Sequence, residues 1–309
     1  KSWRSLSNKD SLNKLKIDGV LVGDLVNDSF LRFNSLPTVA LNDKYLFVII
    51  WQAYRNVRRA KTYFSKSLPI LYISSYCTYI QHGIPARVAL QHGVKVLSLG
   101  NSQEFFKELT LIDCYQTRNV DRYAKDFELL DNQDTKIALA ESILTFRLSG
   151  NIDSSTRYMK RSAYAISSES VPDVSGAIVI FLHDFYDSPH IYGKIAFTDF
   201  WEWICYSIET LTKANIKFYI KPHPNQIGDS DTIVCKLKQL YPKLLLVATG
   251  VSNKQLVERG MACAVTVYGT IAHEMAYLGV PVIACGHHPH IAFEFCNTAN
   301  DIDEYRMFL

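Results

Sequence analysis

What the chain lacks narrows the field first. Its 309 residues contain no run of eighteen apolar side chains, so no segment reads as a membrane-spanning helix. The seven cysteines (Cys77, Cys114, Cys205, Cys235, Cys263, Cys285 and Cys296) are odd in number and never form a Cys-x-x-Cys pair. That spacing argues against a zinc knuckle or a disulfide framework and for reduced, packed thiols in a cytoplasm. The first twenty residues are polar and helix-like, without the apolar stretch of a secretory signal. No internal repeat, no low-complexity tract and no Asp-x-Asp at a strand end is evident. A metal-bridged diphosphate is therefore not expected. The chain begins without Met and stops at "DEYRMFL", as expected of one trimmed at both ends.

What is present is an ordinary globular balance, 48% hydrophobic and 20% charged, with length enough for two cores. The net charge of +3 hides an asymmetry: residues 1–170 carry 23 Lys and Arg against 16 Asp and Glu, and the rest 10 against 14. A basic first half suits an anionic partner, with a plain solvated face as the alternative. "YRNVRRAKTYFSK" sets Arg55, Arg58, Arg59 and Lys61 near Trp51 and Tyr63, as expected of a helix resting on an anionic membrane. Nucleic acid is not among the expected partners.

Short β-rich runs alternate with helical patterns. "IDGVLVGDLV", "LPILYISS" and "VKVLSLG" read as strands of the first half, and "GAIVIFLHD", "IKFYIKPHP", "LLLVATG", "CAVTVYG" and "PVIACG" of the second. The small, polar stretch "SSESVPDVSG" (167–176) reads as a linker. The alternation predicts parallel sheets covered on both faces. Two Rossmann-like α/β domains are expected, residues 1–170 and 171–309, facing each other across a cleft.

In an open parallel sheet, ligands collect outside the carboxyl ends of the strands. "VTVYGTIAHEMAYLGVPVIACG" (265–286) reads as strand, turn, helix and strand, with Tyr268, Gly269 and Thr270 at the junction. A helix start offers N–H groups and a positive dipole end to a phosphate, and Gly269 lets a ligand approach the backbone. Thr270 is equally a good N-cap. Thr270, His273, Glu274 and Tyr277 form a polar row, from which Glu274 can reach a ribose hydroxyl; complementing the helix dipole is its alternative. In "YIKPHPNQ" (219–226), Lys221 and His223 alternate so as to point one way, an anion site or leaving-group stabiliser.

Other candidates are weaker. "FLHDFYDSPH" supplies His183 and Asp184 beyond the strand nearest the linker, for donor or acceptor sugar, while Asp187 or Ser188 can cap a helix. "GHHPH" (286–290) suggests a metal, yet lacks a carboxylate or cysteine at ligand spacing, so His287 is read as lining a sugar pocket. Asp24 and His82 are candidate bases for an acceptor hydroxyl, with Asp24 placed at a strand end beside Asp28. Arg87, on a helix after a Gly-Ile-Pro turn, could bind a substrate carboxylate or form a structural salt bridge.

The order strand–"KPHP"–strand–strand–"YGTIAHE-x-x-x-LGVPVI" resembles bacterial glycosyltransferases of GT-B architecture. It is closest to capsule and lipopolysaccharide surface-glycan proteins carrying an HP motif. Bacterial sialyltransferases and Kdo transferases share that motif, and UDP-GlcNAc 2-epimerases share the overall shape. The resemblance covers residues 177–290; over the first half it rests on "DGVLVGDLVNDSFLR" and "YIQHGIPARVAL". It implies a metal-independent enzyme without a cofactor, using a CMP- or UDP-linked sugar as donor and a glycan or lipid-linked acceptor. It implies a cytoplasmic location, peripheral on the inner membrane. His223 would help hold the donor phosphate, Gly269 and Thr270 would lie at the phosphates, and Glu274 would contact ribose. A nucleotide-sugar epimerase and a non-catalytic nucleotide- or glycan-binding subunit are the alternatives.

Overall fold

The computed structural model describes residues 6–99, 106–115, 123–154, 156–157, 159, 161–223, 230–288, 291 and 293–309. Contacts divide the chain into two units, Lys1–Asn119 with Phe185–Glu202, and Val120–Asp184 with Trp203–Leu309. The stretch 167–176 is not where they divide. Instead Val174 is buried, Tyr219 donates to the Asp173 carbonyl (3.0 Å), and Gly176 N–H donates to the Gly260 carbonyl (2.9 Å). No helix among the described residues is long and apolar enough to cross a membrane.

The first unit opens with α1 (Lys9–Asn13) and a two-rung hairpin, β1 (Lys16–Ile17) with β2 (Val20–Leu21). Asp18 and Gly19 make its turn at positive φ (47° and 83°). "IDGVLVGDLV" is thus not one buried strand. At Gly23 the chain enters α2 (Gly23–Asn34), where a Cβ would lie 1.9 Å from the Leu12 carbonyl oxygen. Asp24 and Asp28 therefore stand on a helix and not at a strand end.

Next come α3 (Lys44–Lys66), β3 (Leu71–Ser74), a π-helical turn (Tyr79–Gly83), α4 (Ile84–Gln91), β4 (Lys95–Leu99) and β5 (Phe106–Leu109). β4 pairs parallel with β3 and antiparallel with β5. A three-stranded mixed sheet thus replaces the parallel Rossmann-like sheet expected of this half. Its core joins Leu12, Val26 and Phe30 to the inner face of α3. Residues 185–202 pack here too: Thr198 O accepts from Asn27 (3.0 Å), and Asp199 accepts from Thr38 (2.6 Å) and Lys9 (3.0 Å).

The second unit carries α5 (Tyr123–Glu128), α6 (Gln133–Leu148), β6 (Ile178–Phe181), most of α7 (Phe200–Lys213), β7 (Phe218–Lys221), α8 (Ser230–Leu240) and α9 (Asn253–Glu258). β8 (Cys263–Val265), α10 (Ile271–Tyr277), β9 (Val282–Ala284), β10 (Asn297–Thr298) and α11 (Ile302–Phe308) complete it. The sheet order is β10-β9-β8-β6-β7, all parallel, with Leu246 bridged in parallel to Ile220 beyond β7. Counted along the chain, with Leu246 as the third member, the spatial order is 3-2-1-4-5-6, the dinucleotide-fold arrangement. β6 is buried throughout, as its unbroken "IVIF" requires of a central parallel strand.

Candidate functional site

In that strand order the chain runs outward from β6 on one side and from β8 on the other. Their carboxyl ends flank the topological switch point, where open α/β sheets place ligands. His183 lies two residues beyond β6, and Thr266, Tyr268 and Gly269 follow β8. His183 Nε2 is 3.2 Å from Thr266 Oγ1 and accepts the Tyr268 backbone N–H at 3.4 Å. Because Nε2 accepts, the imidazole proton sits on Nδ1 and the ring is neutral. Burial, aided by the charge His223 would carry, pushes the His183 pKa down to about 3.

The Tyr268 ring packs against His183 with centroids 4.7 Å apart. A Cβ at Gly286 would come within 2.9 Å of Tyr268 Cδ1. A Cβ at Gly269 would lie 3.1 Å from Thr266 Oγ1 and 3.5 Å from His183 Cε1. Both glycines keep backbone close to this ring pair, which side chains would crowd.

More imidazoles gather at the same end of the sheet. His223 lies two residues past β7, half-buried. His288 is buried after β9, its Nε2 3.1 Å from Thr298 Oγ1. Burial, then His287 and His273, pushes its pKa down to about 4. His273, in α10, is also lowered, chiefly by burial. The structure thus brings His183, His223, Tyr268, Gly269 and His287 to the carboxyl ends of neighbouring strands. Asp184 is buried beside His183 in the chain. Among the described residues, no group of three or more His, Cys, Asp or Glu is placed to hold a metal. Pro224–Gln226 of the "KPHPNQ" loop and Pro289–His290 of "GHHPH" lie outside the described residues.

Several candidates are engaged elsewhere. Lys221 does not point with His223 toward a phosphate: its ammonium is buried and donates to the Val251 carbonyl at 2.6 Å. Burial lowers its pKa to about 8, against the pull of Glu169. Thr270 is exposed at the start of α10 and makes no side-chain cap bond. Glu274 is buried, accepting from Arg147 on Oε1 (3.1 Å) and from Tyr164 Oη on Oε2 (2.8 Å). Arg147 in turn binds Asp153 through Nε (2.7 Å). Both Glu274 oxygens thus have protein partners where the sequence reading offered them a ribose.

In the first unit, Asp24 and Arg87 form a buried two-bond pair, both bonds 2.6 Å, and Arg87 also donates to the Leu21 carbonyl (2.9 Å). Burial alone would raise the Asp24 carboxyl, but the guanidinium outweighs it and holds the carboxyl below its ordinary value. A paired, acid-shifted carboxylate is a poor general base, which corrects the role expected of Asp24, while Arg87 takes the salt bridge of the two roles open to it. His82 is exposed in the π-helical turn, edge-on to Tyr76 at 5.9 Å.

The sequence reading left out Thr266, Arg147, Tyr164 and the buried Asp28–His190 pair (Nδ1 to Oδ1 2.6 Å). Only Thr266 had a signal: two residues before Tyr268 on a strand end, it shares that residue's side. The others meet across 110 to 162 residues of chain, which no local pattern encodes.

A pH dependence follows from the neutral rings. His183 is depressed below its unfolded value of about 6.5, so its contribution to stability is full above that pH. It falls away as pH drops toward about 3. Thermal melts should show the second unit weakening between pH 7 and pH 5, and His183→Asn should flatten part of that slope. An identical slope in the variant would assign the effect elsewhere.

No protein-family model matches the chain, and no curated protein sequence matches it. Among solved structures, a crystal structure of Methanocaldococcus jannaschii UDP-GlcNAc 2-epimerase in complex with UDP-GlcNAc and UDP is similar at a TM-score of 0.30 and 11% identity. That match covers 82% of this chain and 71% of the other.

Proposed function

We propose that this chain is a glycosyltransferase of the GT-B kind, moving a sugar from a UDP- or CMP-linked donor to a hydroxyl of a growing capsule or lipopolysaccharide glycan on the cytoplasmic side. One observation carries the reading: the switch point between β6 and β8, where His183, Thr266, Tyr268 and Gly269 converge. A nucleotide there would lie against glycine backbone and the Tyr268–His183 ring pair. Lys221 is turned inward and His183 and His288 are neutral, so the described strand ends offer ring faces and glycine backbone instead of fixed cations.

In the proposed transfer, the bond from the anomeric carbon to the nucleotide phosphate oxygen breaks while the acceptor oxygen bonds that carbon and gives its proton to solvent. Charge grows on the departing phosphate, where N–H donors aimed at it lower the barrier. No metal step is included, in keeping with the absence of an Asp-x-Asp at a strand end.

The test is calorimetric titration of UDP-, CMP- and GDP-sugars into wild type and Gly269→Val. One nucleotide class should bind. The added side chain, forced against Thr266 and His183, should weaken it roughly 10- to 100-fold with the fold intact by circular dichroism. Transfer to glycan should persist in EDTA. Absence of binding by every nucleotide, or equal affinity in the variant, would sink the reading. Epimerised donor with no transferred sugar would replace it.

A further inference from the structure

We propose that the outward face of α3, with the β3 edge beside it, docks on an anionic lipid bilayer. This deepens the transferase reading by naming the surface on which a lipid-linked acceptor is met, and it rests on the first unit alone. The helix sorts its residues sharply. Leu46, Ile49, Ile50, Ala53, Val57, Ala60 and Phe64 are buried at three- and four-residue spacing. The opposite side presents Val48, Trp51, Arg55, Arg58 and Arg59, all exposed, with Trp51 55% accessible.

Charge selects the partner. The 23 residues of α3 contain six Lys and Arg and no Asp or Glu. Arg55 lies over the Trp51 ring at 4.7 Å, so aromatic and cation form one amphipathic unit. Apolar surface continues past the helix end: Ile70 is 94% and Ile73 55% exposed, and β3 is an edge strand of its sheet among the described residues. A groove of about 560 Å³ between α3 and β3 is lined by Arg59, Tyr63, Phe64, Leu71 and Ile73 among others.

Three occupants compete. A second copy of the chain would set the exposed Arg55 and Arg59 of α3 against their own copies, while Arg58 and Lys61 are engaged by Asp18. Nucleic acid would match the charge but leave Val48, Ile70 and Ile73 in water. An anionic bilayer satisfies both, since aromatic and aliphatic side chains enter the headgroup boundary while Arg and Lys meet the lipid phosphates.

The experiment uses the full chain without nucleotide, so its failure is separable from failure of the transferase reading. Protein is sedimented with phosphatidylglycerol/phosphatidylcholine vesicles and with phosphatidylcholine vesicles, at low and high salt. Binding should require phosphatidylglycerol and weaken at high salt. Arg55→Gln/Arg59→Gln should lower partitioning roughly 30-fold, at about fivefold per cation. Lys243→Gln/Lys254→Gln, exposed residues of the second unit, remove the same charge and should leave it unchanged. Equal binding to both vesicle types, or to neither, overturns the proposal, as does an equal loss in the control variant. Displacement of the protein from vesicles by an oligonucleotide through the same arginines would assign the face to nucleic acid. A dimer disrupted by Trp51→Ala, with no vesicle binding, would assign it to a second copy.

Discussion

Arg87→Ala should lower the free energy of unfolding by about 3–5 kcal/mol, the cost of stranding a buried charge when its partner is removed. Asp24 and Arg87 are each about 5% exposed and share two hydrogen bonds of 2.6 Å. Removal of the guanidinium leaves the buried Asp24 carboxylate beside Asp28 without its countercharge. The Leu21 carbonyl, which Arg87 also serves, loses a donor. Asp24→Leu/Arg87→Met should recover much of the loss, because an apolar pair leaves no stranded charge. Urea denaturation of the three proteins, followed by circular dichroism, reads this directly. A substrate-binding Arg87 behaves differently: its removal would raise KM at nearly unchanged stability. That outcome would overturn the structural role.

Glu274→Ala should also act on stability first. The side chain ties Arg147 and Tyr164 to α10, and Arg147 carries the bond on to Asp153. Burial and Glu274 together raise the Tyr164 phenol well above its ordinary value, so the carboxylate is held as an acceptor facing a protonated Tyr. Truncation leaves a buried hydroxyl and a half-satisfied guanidinium, at a cost of about 3 kcal/mol. A ribose-binding Glu274 would give an intact fold with weakened nucleotide binding on truncation; its buried network gives a lower unfolding midpoint. Tyr164→Phe separates the two, since it deletes one arm of the network without touching the acid. Roughly 1 kcal/mol of lost stability is expected there. Unchanged stability in both variants, with weaker nucleotide binding in Glu274→Ala, would return Glu274 to the ribose.

Much of the second unit was legible in one dimension. Unbroken β-branched and aromatic runs such as "IVIF", bounded by turn residues, read as central parallel strands, and a glycine between "VTVY" and "TIAHE" marks a strand-to-helix junction. Those local signals place His183, His223, Tyr268 and Gly269 at strand ends, and periodicity alone foresees the sorted faces of α3. Side-chain direction was not legible. Alternation puts Lys221 on one side of β7, but only the packed fold shows the Val251 carbonyl waiting inside it. The partners of Asp24, Asp28 and Glu274 lie 63, 162 and 110 or more residues away in the chain. A buried charge takes whichever countercharge the fold brings near it, and that choice is made by tertiary packing. The same holds for residues 185–202, written between β6 and the body of α7 yet packed into the first unit. Periodicity determined which residues form helices and strands; three-dimensional contact decided which polar groups neutralise one another and which are left to meet a ligand.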